Sequence, residues 1–236
     1  MESLKGKKVL LVGATGGIGN AAAKLLSASQ AQLFLTGRKG DKLDQLKLQF
    51  PEAEVLPMDL TQALEIEEAG RVVAEKMGVP DIIINAAGIG IIKPVEQLSV
   101  DEFMLSLQTN LVGTFHLLKT FLPGMKEAKK GLIINIPGVL GKVPMAGAAA
   151  YSASKYGLIG MLQSLREEVK RTEIRITNLI LGGVDSPFWD TIDLRVQKDK
   201  MIKPEEAARA IWFLCQQPAS GVVSEMVLQP FNHQAV

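Results

Sequence analysis

The sequence predicts an α/β fold: one doubly wound domain over residues 1–236, with about seven parallel strands and helices on both faces of the sheet. Three observations predict it. Short β-branched apolar runs alternate with helical patterns along the whole chain. The strand runs are apolar at consecutive positions, as in strands covered on both sides. No Pro/Ser-rich linker, repeat or low-complexity segment interrupts the alternation.

Each element has its own local reason. Lys7–Ala14 (KKVLLVGA) is a first strand, and a glycine-rich turn leads into a helix over Gly17–Ala28. Ala31–Gly37 and Ala53–Asp59 are the next strands, separated by a charged helix at Asp41–Phe50. A helix from about Gln62 to Met77 precedes the isoleucine-rich strand Asp81–Gly88. A long helix from Val100 to about Lys126 carries apolar residues at Phe103, Leu107, Leu111, Phe115 and Leu118, and Pro123 is expected to bend or end it. Gly131–Gly138 is a fifth strand, Tyr151–Lys170 a helix and Glu173–Leu181 a sixth strand. Pro204 opens a helix to about Gln216, as a first-turn proline does, and Gly221–Pro230 is the last strand.

Composition narrows the function. Of 236 residues, 47% are hydrophobic, enough for one substantial core. Lys plus Arg number 26 against 25 Asp plus Glu, so no excess charge points to nucleic acid or a membrane surface. His116 and His233 lie far apart without a ligand cluster, so no metal centre is expected. Cys215, in AIWFLCQQ, reads as a core residue, and a single cysteine forms no internal disulfide. No signal-like segment precedes the first strand and no apolar run reaches about 18 residues. A cytoplasmic protein is expected.

GATGGIG (Gly13–Gly19) falls between a strand and a helix. Glycines at 13, 17 and 19 permit a tight turn, close approach of backbone to a pyrophosphate and tight packing of helix on strand. Ile18 follows on the helix, whose free N–H groups face the phosphates, and Thr15 can add a hydroxyl contact. Where the second strand ends, a carboxylate would hold the ribose of NAD and an arginine the 2′-phosphate of NADP. This strand ends in Gly37-Arg38, which favours NADP(H) over NAD(H); the competing reading of Arg38 is a solvated loop charge. Asp59 and Leu60 end the third strand, where a carboxylate can accept from an adenine amino group.

Tyr151 and Lys155 stand four residues apart, on one helix face. A phenol of pKa about 10 is a poor acid, and an adjacent cation lowers that value. Such a tyrosine can exchange a proton with an alcohol oxygen while hydride moves at the neighbouring carbon.

GATGGIG, MDL (Met58–Leu60), NAAG (Asn85–Gly88), Asn110 in TNLVG, YSASK (Tyr151–Lys155) and LGGVDS (Leu181–Ser186) occur in one order over nearly the whole chain. In this the chain resembles the short-chain dehydrogenase/reductase family. The resemblance implies a Rossmann-type sheet and a nicotinamide cofactor. It implies that Tyr151 is the acid/base, that Lys155 holds the nicotinamide ribose and tunes the tyrosine, and that Asn110 supports a water-linked proton path. Asn85, Ala86 and Gly88 would line the cofactor by their backbone, and Val184 and Ser186 would grip the carboxamide. A homodimer or homotetramer acting on a small carbonyl or alcohol is implied as well.

One position departs from the family pattern. The serine that donates to the substrate oxygen belongs thirteen residues before the tyrosine, and there the chain has Gly138, within Asn135-Ile136-Pro137-Gly138. Losing a preorganised donor costs about 10²–10³ in turnover. Three readings follow: a substitute donor (the Gly138 amide, a water or the substrate itself), an activated or enone-type carbonyl, or an impaired protein that binds NADP(H) as a sensor or partner subunit. Ser152 and Ser154 are tempting substitutes, although helix geometry turns Ser152 away from Tyr151. The segment at about 186–203 reads as a short substrate lid. Phe188, Trp189 and Ile192 there, with Met145, are either apolar substrate contacts or packing residues.

Overall fold

The computed structural model describes residues 2–38, 40–218 and 220–233. Its strands are β1 Lys8–Val12, β2 Gln32–Gly37, β3 Glu54–Pro57, β4 Ile82–Asn85, β5 Lys130–Asn135, β6 Glu173–Leu181 and β7 Glu225–Leu228. Its α-helices are α1 Gly17–Ala28, α2 Asp41–Gln49, α3 Ala63–Lys76, α4 Val100–Leu107, α5 Gly113–Ala128, α6 Ala149–Val169 and α7 Pro204–Leu214. The strands form one seven-stranded sheet in the order β3-β2-β1-β4-β5-β6-β7, and every pairing is parallel.

The consecutive apolar residues of the strands divide between two cores. Val9, Leu11, Ile82, Ile84, Leu132 and Ile134 pack with residues of α1, α2 and α7 on one face. Leu10, Ile83, Ile133 and Ile176 pack with residues of α3, α5 and α6 on the other. The chain reverses its direction of winding between β1 and β4, and in open α/β sheets ligands bind outside the strand ends at such a switch point. Among the described residues no helix is long and apolar enough to cross a membrane.

Two differences from the sequence reading bear on the site. The helix expected from Val100 to about Lys126 is interrupted by a π-helical turn at Gln108–Val112. Pro123 does not end α5, which continues to Ala128, because Phe121, Leu122 and Met125 on both sides of it are buried and hold the helix down. The fifth strand stops at Asn135 rather than Gly138. Pro137 has no N–H for a ladder, and Gly138 takes φ 79, ψ 162, outside the strand region.

Candidate active site

The glycine-rich turn is shaped by close backbone approaches. Gly13 has φ 82, and a Cβ there would come 2.7 Å from the Ala87 nitrogen of the neighbouring strand end. A Cβ on Gly19 would overlap the Gly13 carbonyl, and one on Gly17 would stand 3.0 Å from Cβ of Ser186 across the cleft. The amides of Gly13 and Ala14 donate to the Thr36 carbonyl at 3.0 and 2.8 Å, tying the turn to β2. Thr15 rests against Gly37, where a Cβ would come within 2.6 Å of its side chain. The result is an open cradle at the N-terminus of α1.

A cleft of about 450 Å³ runs from this cradle along the carboxyl ends of the strands. Thr15, Gly17, Ile18, Gly19 and Arg38 line one end, joined by Lys42 from the first turn of α2, which the sequence reading missed. Ala86, Gly88, Val184 and Ser186 line its middle, and Gly138 and Tyr151 the far end. The other expected residues stand outside the lining. Asp59 accepts from the Thr61 amide and hydroxyl, both at 2.8 Å, so its carboxylate is engaged in a turn. Leu60 is buried against Gly113. Asn85 braces the end of β4, donating to the Thr114 hydroxyl at 2.9 Å and accepting from the Ala87 amide at 3.2 Å.

Asn110 lies within the π-turn, and such one-turn bulges re-aim side chains at functional sites. Its Oδ1 accepts from the Ile89 amide at 2.9 Å, and its Nδ2 donates to the Ile89 carbonyl and to the Ser154 hydroxyl, both at 3.0 Å. The Ser154 hydroxyl in turn donates to the Tyr151 carbonyl at 2.7 Å. Ser154 is therefore a buried brace between helices and not a substitute donor, and Ser152 does not line the cleft.

Gly88 allows Asn110 and Lys155 to converge: a Cβ there would stand 3.0 Å from Asn110 Oδ1 and 3.2 Å from Lys155 Nζ. Lys155 Nζ also donates to the Ile136 carbonyl at 3.4 Å and lies 5.5 Å from the centre of the Tyr151 ring. Burial pushes the Lys155 ammonium down to about 8. Burial likewise drives the Tyr151 hydroxyl above the ordinary phenol range, opposite to the lowering expected from a neighbouring cation. Desolvation outweighs the lysine here, so the tyrosine holds its proton at neutral pH.

Gly138 faces Tyr151, and a Cβ on it would lie 3.4 Å from the tyrosine hydroxyl. Beyond it the segment 184–202 forms a loop closed at its base by a Val184–Ile202 bridge. Trp189 donates from its indole nitrogen to the Val184 carbonyl at 2.9 Å, anchoring the 3-10 turn Pro187–Thr191 to that base. Ile192 is buried. Phe188 instead turns inward, its ring centre 5.7 Å from that of Tyr151.

Comparison with known proteins decides the lineage. The family profile described as short chain dehydrogenase matches residues 7–196. The chain belongs to the short-chain dehydrogenase family. It is 30% identical to an uncharacterised oxidoreductase of Staphylococcus epidermidis over 231 residues, covering 98% of this chain and 100% of the other. As a short-chain dehydrogenase it is an oxidoreductase. An alcohol dehydrogenase of the archaeon Thermococcus sibiricus, complexed with 5-hydroxy-NADP, superposes with a TM-score of 0.89 at 26% identity, covering 98% of this chain and 100% of that one. A metagenomic short-chain oxidoreductase in complex with NADP superposes at 0.84 with 31% identity, over 97% and 99% of the two chains.

Proposed function

We propose that the protein interconverts a carbonyl and a secondary alcohol with NADP(H), Tyr151 exchanging the proton. The observation that carries this reading is the placement of the Tyr151 hydroxyl in the cleft wall opposite Gly138, with Lys155 and Asn110 meeting behind it at Gly88. A turn whose glycines at 13, 17 and 19 let backbone and helix close up around an open cradle fits a dinucleotide, and two similar structures hold 5-hydroxy-NADP and NADP. When bound, the nicotinamide gives or takes the hydride.

The chain's residues do the rest. The turn at Gly13–Gly19 and the N-terminus of α1 receive the pyrophosphate. Arg38 and Lys42, both exposed at the same end of the cleft, supply two cations for a 2′-phosphate and support NADP(H) over NAD(H). Ala86, Gly88, Val184 and Ser186 line the nicotinamide half, and Lys155 holds the ribose. A tyrosine that keeps its proton at neutral pH can donate it to a carbonyl oxygen as hydride arrives at the carbon. Asn110, fixed to Ile89 on both of its polar atoms, keeps the loop after β4 against the site. Exposed Val100, Met104, Leu105, Phe115 and Tyr156 on α4, α5 and α6 support assembly as a homodimer or homotetramer.

Two titrations and one rate test this reading. NADPH is expected to bind more tightly than NADH, and a double Arg38→Ala, Lys42→Ala variant to lose about tenfold or more in NADPH affinity with NADH little changed. Tyr151→Phe is expected to lose about 10²–10⁴ in carbonyl turnover while still binding NADPH. Equal turnover in Tyr151→Phe, or tighter NADH, would overturn it.

A further inference from the structure

The substrate half of the cleft differs in kind from the cofactor half. Ile89, Ile92, Ile136, Val139, Leu140 and Phe188 form its walls. Arg38 and Lys42 are the only charged residues lining the cleft among the described residues, and both stand at the glycine-turn end. The nearest cation, Lys155, stands behind Gly88 and is given above to the ribose, so a charged acceptor such as a keto acid or a sugar phosphate would lose its hydration there with no counter-charge of its own.

Phe188 has a seat made for it. A Cβ on Gly90 would overlap the tip of the Phe188 ring, so the ring occupies its place only because residue 90 has no side chain. The ring is tilted 58° to Tyr151 and makes an edge contact with Trp189 at 5.3 Å between centres. Trp189 is itself fixed to the Val184 carbonyl. An aromatic wall therefore stands beside the proton donor, held on both sides.

The carbonyl oxygen also meets fewer donors than usual. Gly138 carries no hydroxyl, its conformation admits glycine almost alone, and Ser152 and Ser154 do not reach the cleft. An acceptor that reacts with a phenol as its single side-chain donor is one whose carbonyl is already electron-poor. An adjacent carbonyl makes it so.

From these features we infer that the substrate class is an uncharged vicinal diketone bearing an aromatic ring, selected by Phe188 on its Gly90 seat. The inference rests on the reductase reading above. Hydride from NADPH adds to one carbonyl carbon, the Tyr151 hydroxyl proton goes to its oxygen, and the products are an α-hydroxyketone and NADP⁺. Tyr151 regains its proton from solvent.

The test compares 1-phenyl-1,2-propanedione, 2,3-butanedione, acetophenone and phenylglyoxylate as acceptors with NADPH, in wild type, Phe188→Ala and Gly90→Ala. The phenyl diketone is expected to exceed acetophenone and phenylglyoxylate in kcat/KM by about 100-fold, the scale of one missing oxyanion donor. Phe188→Ala is expected to cut the preference for phenyl over methyl diketone by about tenfold, the scale of one aromatic contact. Gly90→Ala, which unseats the ring without removing it, should shift that preference the same way with NADPH affinity retained. Phenylglyoxylate reduced as well as the diketone, or a ratio unchanged in Phe188→Ala, overturns the inference and leaves the reductase reading standing. NADPH binding with no acceptor reduced by any form overturns both.

Discussion

The hydroxyl of Tyr151 stands 3.4 Å from the point where a Cβ on Gly138 would lie. Gly138 therefore lies beside the tyrosine, and its backbone has a conformation, φ 79 and ψ 162, that serine rarely adopts. Gly138 also accepts the Gly141 amide at 3.1 Å, which holds the following 3-10 turn in place.

Gly138→Ser is accordingly not expected to act as a simple restoration. It should destabilise the fold by about 1–3 kcal/mol, the cost of holding a side chain in a region essentially confined to glycine. Thermal unfolding of Gly138→Ser and Gly138→Ala checks this, since both carry the strain and only one carries a hydroxyl. Turnover in the serine variant matching that of the alanine variant is the expected result. Native-like stability in both would show that the backbone relaxes.

Asn110→Ala removes the acceptor for the Ile89 amide and the donor to the Ile89 carbonyl and Ser154 hydroxyl. Leaving these buried groups without a partner should cost about 2–3 kcal/mol in urea unfolding. Because Ile89 lines the substrate half, KM for the acceptor is expected to rise as well.

Lys155 gives a pH signature. Burial holds its folded value at about 8, against roughly 10.4 in an unfolded chain. Between those values the unfolded chain binds more protons, so stability rises with pH across the window and the rise is absent in Lys155→Met. If the ammonium is the working form, carbonyl reduction falls above about 8 as that proton is lost. Lys155→Arg, which stays charged, should shift the alkaline limb upward. Unfolding midpoints and kcat/KM from pH 7 to pH 10 report both.

Cys215 is buried and its thiol is pushed up to about 12 by desolvation. The thiolate is the reactive form, so a disulfide reagent should leave the native protein unmodified and label it only as it unfolds. Rapid labelling of the folded protein would contradict this burial.

Much of the fold was legible because local patterns report it directly. Isoleucine and valine at consecutive positions in Ile82–Ile84 and Leu132–Ile134 announce strands covered on both faces, and the two cores fill from them. Glycines at 13, 17 and 19 were legible for the same reason: each removes a side chain that its neighbours would reject. Asp59 was less legible, because a carboxylate at a strand end reads alike whether it faces a ligand or caps a turn, and here its Oδ1 accepts from Thr61. The π-turn around Asn110 was not legible, since its extra residue per turn is set by what α4 and α5 pack against rather than by propensity. Lys42 was missed because a lysine in the first turn of a helix reads as a solvated charge until the packed chain sets it in the cleft lining with Arg38.

By itself the sequence determined the alternation of strands and helices, the glycine cradle, the pairing of Tyr151 with Lys155 on one helix face and the absence of a serine at 138, since these depend on spacing and residue type. Tertiary structure alone decided the rest. It placed Phe188 on Gly90, turned Ser154 into a brace, buried Lys155 and set Tyr151 in the cleft wall, where desolvation raises the phenol and lowers the ammonium. Burial and contact between distant segments are properties of the packed chain, and no local pattern carries them.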